Sequence, residues 1–251
     1  MNRCGEFIVK FYQMNKDERH QVMHHLFVMN LTVMILPLVS LVATYGAYIA
    51  LKHTMTSSSY FVPAPSDVIV YQPEYRIHSV SMTIETFYIL FIAYTQHKIR
   101  IILGNRVHKI ETKKFRILKI CSFISLGIYL IGHQIIACVP FTSCKPLNSL
   151  GANFYGYGSS FYFITCDIFN AFLSKPSQIA SRILTWVVVV STFFELVIRY
   201  YIFTNEDNGA QQWWTMSTIF FLLAAGCSYV KFFMISIDLP NCAIRLSKKI
   251  L

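Results

Sequence analysis

Charged residues are scarce. Asp, Glu, Lys and Arg make up 14% of the 251 residues, where a soluble domain carries about 25%. That is too little charge to cover a globular surface in water, and it excludes a soluble enzyme. Glycine (10) and proline (8) are too few for a low-complexity or collagenous chain. The seven cysteines are scattered, mostly inside apolar runs, without a Cys-x-x-Cys pair. A disulfide framework and a cysteine-based metal site are therefore not expected. Acidic residues are rarer still, 12 against 22 Lys and Arg, for a formal net charge of +10. In a soluble chain that excess would suggest nucleic acid. In a membrane chain it reports connections kept on the cytoplasmic side, and no nucleic-acid partner is expected. G-x-S-x-G, H-E-x-x-H, P-loop and dinucleotide fingerprints are all missing. No cofactor is expected, and these residues leave open whether the chain is an enzyme.

What is present is apolar sequence: 55% hydrophobic residues and a mean hydropathy of +0.47. A membrane-crossing helix needs roughly 20 mostly apolar residues. Six runs qualify, at about 24–51, 78–97, 117–139, 152–174, 183–204 and 213–237. The first carries Pro37, which predicts a kink or tilt. The fourth, aromatic and Gly-rich, has the weakest hydropathy. Inside hydrocarbon every backbone polar group must be bonded within the segment, so helices are expected even over the β-branched Val187–Val190. The fold class is therefore all-α, a single six-helix membrane bundle over residues 1–251. The polar stretch from Lys16 to His20 and the length of the first run argue against a removable signal peptide.

Lys and Arg sort the connections. Sixteen fall in the N-terminal tail, the second and fourth connections and the C-terminal tail; three fall in the others. This asymmetry predicts cytoplasmic termini. Trp213, Trp214, Tyr200 and Tyr201 then stand at the lumenal interface that amphipathic rings favour. The seven cations between 98 and 116 either fix topology or hold anionic headgroups. Lys248 and Lys249 precede Ile250 and Leu251, which resembles a dilysine signal read by the vesicle coat that returns membrane proteins to the endoplasmic reticulum. Golgi and endoplasmic reticulum residence is expected. Serine at both positions should move the protein to later compartments; an unchanged distribution contradicts the reading.

Charge in a hydrocarbon core costs at least about 2.5 kcal/mol per group on insertion scales. Glu195 and Arg199 are four apart on the fifth run, so they share one face. They read either as a self-neutralising pair or as a site for a lipid headgroup. Glu85, His133 and Asp167 have no partner within a helical turn. His78, Glu85, His133 and Arg199 fall in the lumenal half of the bundle; Asp167, His97 and Lys231 fall in the cytoplasmic half. A histidine beside a carboxylate could serve as a general base on a lipid hydroxyl; the plainer reading is a buried structural residue. Lys119 and Lys231 are expected to snorkel towards the headgroups. Cys138 and Cys144 flank a short lumenal turn and are close enough in sequence to pair.

The first lumenal connection, about 52–77, is the longest on its side. It reads Tyr60-Phe61-Val62-Pro63-Ala64-Pro65-Ser66-Asp67, then Tyr71-Gln72-Pro73-Glu74-Tyr75-Arg76. Proline fixes φ and Ser or Asp side chains close local turns, so the loop is expected to be ordered. Pro63 to Asp67, Pro73-Glu74 and the second-span ending Ala93-Tyr94-Thr95-Gln96-His97 resemble the Frag/DRAM/Sfk family of six-span membrane proteins. Ile77-His78-Ser79, Tyr94 to His97 and Asn153 look most like its post-GPI-attachment-to-proteins factor 2 branch. That branch has His-Glu just before the Asn, whereas Gly151-Ala152 stand here.

The resemblance implies a part in remodelling the lipid of GPI anchors: returning a fatty acid to lyso-GPI, as acyltransferase or essential factor. The autophagy-modulator branch shares the loop motif, so a non-catalytic modulator of autophagy or membrane traffic is the alternative. On the first reading the partners are membrane lipids and the GPI anchor, and the site is lumenal, under the 60–76 loop. His78, His133 and Glu85 are the candidates for acid–base work. Asp67, Glu74, Asn153, Glu195 and Arg199 are the candidates for lipid binding.

Overall fold

The structure, a computed structural model, describes residues 16–51, 65–108, 113–140, 143–172, 179–204 and 210–250. Of these, only the backbone is described at 16–27, 29–30, 66–67, 98–99, 101–108, 172, 203, 210–211 and 235–250. Every element among the described residues is helical: α1 (Lys16–Ala50), α2 (Pro65–Val68), α3 (Glu74–His108), α4 (Lys113–Cys138), α5 (Lys145–Phe172), α6 (Ile179–Thr204) and α7 (Ala210–Ile250). The helices outrun the apolar stretches because polar flanks with good helix formers continue the ladder. Glu74, expected in the loop, thus opens α3.

Five of the described helices are long and apolar enough to cross a membrane: α1, α3, α4, α6 and α7. The chain is a polytopic helical membrane protein. The remaining long helix, α5, has 28 residues and reaches about 42 Å at about 1.5 Å per residue. Its lower hydropathy comes from Gly, Ser, Asn and Tyr, and its position explains why that is tolerated. Gly151, Ala152, Tyr155, Gly156, Gly158, Ser159, Ser160, Tyr162 and Phe163 are all buried by neighbouring helices.

α5 pairs most extensively with α4, and α6 with α7; α1 lies against α3 and α7. The α4–α5 seam is tight because its glycines lack a side chain. A Cβ at Gly132 would sit among the backbone atoms of Gly151, Phe154 and Tyr155, and one at Gly158 against the backbone of Tyr129. Phe232 of α7 closes the core beside this seam, its ring 5.8 Å from Tyr129, 5.7 Å from Tyr162 and 5.1 Å from Phe163. Val33, Ile89, Ala93 and Val188 complete the same cluster. Pro37 lies inside α1 and leaves the carbonyl of Val33 without its helical donor.

Lys231 does not snorkel. It is 0% exposed, and its Nζ donates to Asp167 Oδ1 at 2.7 Å, Ser181 Oγ at 2.7 Å and Ser181 O at 2.8 Å. Thr185 Oγ1 donates to Asp167 Oδ2 at 2.6 Å. One ion pair thereby ties α5, α6 and α7. The ammonium finds a carboxylate, a hydroxyl and a carbonyl within reach, so its three N–H groups are satisfied without reaching a headgroup.

Candidate lipid site

A cavity of about 570 Å³ lies between α1, α3 and α7. His78, Asn148, Arg199 and Trp214 line its end nearest α2, with Pro65 and Ile69 of that segment. Deeper in, Glu85 and Tyr229 are joined by Met34, Leu41, Leu222 and Ala225. Ile35 and Leu38 of α1 and Val230 of α7 line it too, although they are 42%, 62% and 37% exposed on the outer surface. The cavity therefore reaches the outside between α1 and α7, in the apolar belt of the bundle.

Arg199 comes from α6 and is ion-paired with Glu195 one turn earlier, as their four-residue spacing requires. Glu195 does not line the cavity; Arg199 does. Ser217 and Thr218, both buried, add hydroxyls from α7.

Glu85 and His133 meet across α3 and α4, both with fully buried side chains, with Oε1 of Glu85 3.5 Å from Nε2 of His133. Glu85 lines the cavity and His133 stands behind it. Neither Glu85 oxygen nor His133 Nε2 has a close hydrogen-bond partner, although the Tyr229 hydroxyl faces the carboxylate. Thr86, a residue without any motif to mark it, sets the proton on this pair. Its hydroxyl donates to Met82 O at 2.9 Å. His133 Nδ1 lies 2.8 Å from Thr86 Oγ1, and a hydroxyl whose one proton goes to Met82 O has only its lone pairs for that contact. With the hydroxyl so oriented, the imidazole carries its proton on Nδ1 and turns Nε2 to the carboxylate. The arrangement sets an imidazole behind a carboxylate that borders the cavity.

This assignment is open to histidine-selective ¹⁵N NMR on the protein in detergent. Wild type and Thr86→Ser should show His133 protonated at Nδ1. Thr86→Val should lose the fixed tautomer and about 1–3 kcal/mol of stability, the cost of a buried donor without a partner. A ring bare at Nδ1 in the wild type contradicts the assignment.

The remaining expected site residues are dispersed. Glu74 is buried in the first turn of α3, where carboxylates favour the helix N-terminus, and it does not line the cavity. Asn153 is half-buried on α5 and also off the lining; Asn148, five residues earlier, takes that place and donates to Val139 O at 2.6 Å. Asp67 lies on α2, and Lys248 and Lys249 on the last turns of α7, with their side chains outside the described residues. Cys138 and Cys144 are free and exposed; Cys138 Sγ accepts from Gln134 Nε2 at 3.0 Å.

An all-helical polytopic bundle with a polar-ended cavity open to its apolar belt defines a class of membrane protein. Residues 25–242 match the model for the Frag1/DRAM/Sfk1/Cwh43P N-terminal domain, and the chain belongs to the Frag1/DRAM/Sfk1 family. No curated protein and no solved structure matches it.

Proposed function

We propose that the cavity holds one lipid and that the protein serves GPI-anchor lipid remodelling, in the return of a fatty acid to lyso-GPI. The observation that carries this reading is the cavity's form. Cation, imidazole and amide stand at one end, mostly apolar side chains line the rest around Glu85 and Tyr229, and the wall opens between α1 and α7 where acyl chains lie. Soluble ligands have no use for such an opening, whereas a lipid slides in sideways with its headgroup at the polar end. In this reading Arg199, ion-paired with Glu195 through Nη2 but with Nε unpartnered, holds the anchor's phosphate through the rest of its planar donor fork. Glu85, backed by His133, is placed to accept a hydroxyl proton. The likeness of 60–98 to the post-GPI-attachment-to-proteins factor 2 branch supports GPI as the lipid, and with it a Golgi and endoplasmic reticulum location with the cavity's polar end towards the lumen.

The test is mass spectrometry of GPI lipids, with surface GPI-protein abundance, in cells that lack the protein and are complemented at normal expression. Wild type should restore the remodelled lipid. Arg199→Ala should leave lyso-GPI. Glu85→Gln and His133→Ala should lower turnover by about a hundredfold or more if the chain itself moves the proton. Loss confined to Asp67, Glu74 and Arg199 variants would mark a protein that binds and presents the lipid. Unchanged GPI lipids in cells without the protein would reject the function, and altered autophagy there would favour the modulator reading.

A further inference from the structure

A second polar cluster lies at the other end of α3, and none of its residues lines the cavity. Arg100 is 1% exposed. Its Nη1 donates to Cys166 Sγ at 3.1 Å, while Nε and Nη2 have no hydrogen-bond partner. It takes part in none of the ion pairs among the described residues; Asp167, next to Cys166 in sequence, is already held by Lys231 and Thr185. Gln96 is one turn earlier on the same face and 3% exposed, and both of its amide atoms lack partners. From α5, the buried hydroxyl of Tyr162 is a third group without a close partner, and it interacts with Arg100.

These groups are mostly donors: two guanidinium N–H faces, an amide N–H₂ and a phenol. Water would satisfy their hydrogen bonds but leave the guanidinium charge unbalanced in a low-dielectric setting, which is strongly unfavourable. An oxyanion satisfies both. The depth fits as well. The apolar run of α3 gives way to Gln96-His97-Lys98 in the sequence; Arg100 is about 4.5 Å beyond His97 along the axis, at the level where lipid phosphates begin. Lys98 precedes it and Arg106 and Lys109 follow in sequence, and such a run of cations raises the local concentration of anions.

We infer that Gln96, Arg100 and Tyr162 form a binding site for a phosphate group, separate from the cavity. The phosphate belongs either to a phospholipid headgroup or to a soluble phosphate, and Arg100 is the group that holds its charge.

The test uses the purified full chain in phosphatidylcholine nanodiscs, with and without phosphatidic acid, and separately with inorganic phosphate; the readout is the unfolding temperature. A ligand near saturation should raise it by about 5 °C or more. That rise should persist in Lys113→Gln, which removes an exposed cation from the same end, and disappear in Arg100→Gln. Gln96→Leu keeps the charge but removes a donor, so it should reduce the rise; it serves equally if Arg100→Gln does not fold. A rise with phosphatidic acid alone identifies a headgroup site, and one with inorganic phosphate identifies a soluble anion. No rise with either, or an equal rise in Arg100→Gln, overturns the inference. So does an Arg100→Met protein that is more stable than wild type under every condition.

Discussion

Gly158→Val is expected to abolish the folded protein. At Gly158 the backbones of α4 and α5 are in contact: an added Cβ would lie 2.6 Å from Cα of Tyr129. No rotamer relieves a clash with a main chain, so the two helices would have to separate along the seam that buries Tyr129, Tyr155 and Tyr162. Ordinary overpacking costs about 1–3 kcal/mol and occasionally more. Parting two backbones belongs at or above the top of that range, against a total stability of about 5–15 kcal/mol. Gly132→Val should behave alike, because Gly151 O and Phe154 C stand 2.7 Å from its Cβ position. Gly127 is the internal control: nothing lies within 4 Å of a Cβ there. Gly127→Ala should be neutral or stabilise by up to about 1 kcal/mol, through the helix preference of alanine. Size-exclusion profiles of detergent-solubilised protein read all three. A monodisperse Gly158→Val protein of wild-type thermal stability would contradict the packing described.

Lys231→Met is expected to cost about 3 kcal/mol, the lower end of what breaking a buried pair from one side costs, because the Asp167 side chain is 15% exposed. The carboxylate of Asp167 then loses its ammonium partner and keeps the Thr185 hydroxyl. Asp167→Asn in the same protein removes the stranded charge, so the double variant should recover much of the loss. Thermal unfolding of the two single variants and the double variant gives the coupling directly. Single variants as stable as wild type, or a double variant no better than either, would show that the pair is not what ties α5, α6 and α7.

The helices were legible because hydrocarbon imposes its own pattern: a run of twenty apolar residues is a strong local signal. The Glu195–Arg199 pair was legible for the same reason, since four-residue spacing on a helix fixes contact. α5 showed only as the weakest run, because the face that carries its Gly and Ser residues packs against protein rather than lipid. Contacts between distant segments left no such trace. Lys231 was expected to snorkel because its partner Asp167 is 64 residues away in sequence. Glu85 and His133 were both noted, but the contact that makes them one unit depends on how α3 packs on α4. Thr86 went unnoticed, since a threonine on an apolar helix has no distinguishing pattern and its role arises only from the angle at which His133 approaches. The cavity was the least legible feature, because α1 and α7 come from opposite ends of the chain. The loop motif pointed near it through Pro65, and the polar residues expected around it divided: His78, Glu85 and Arg199 on the wall, His133 and Glu195 behind it, Glu74 and Asn153 elsewhere.

The central claim, that a lipid occupies the space between α1 and α7, is tested most directly by photo-cross-linking the purified full chain. The probe is lysophosphatidylinositol with a diazirine in its acyl chain, and the adducts are mapped by mass spectrometry. Adducts are predicted on 34–41 and 222–230, falling about tenfold in Arg199→Ala at sub-saturating probe, the equivalent of about 1.4 kcal/mol of headgroup binding. Adducts spread over the outer helix faces, at a level that Arg199→Ala does not change, would contradict the account.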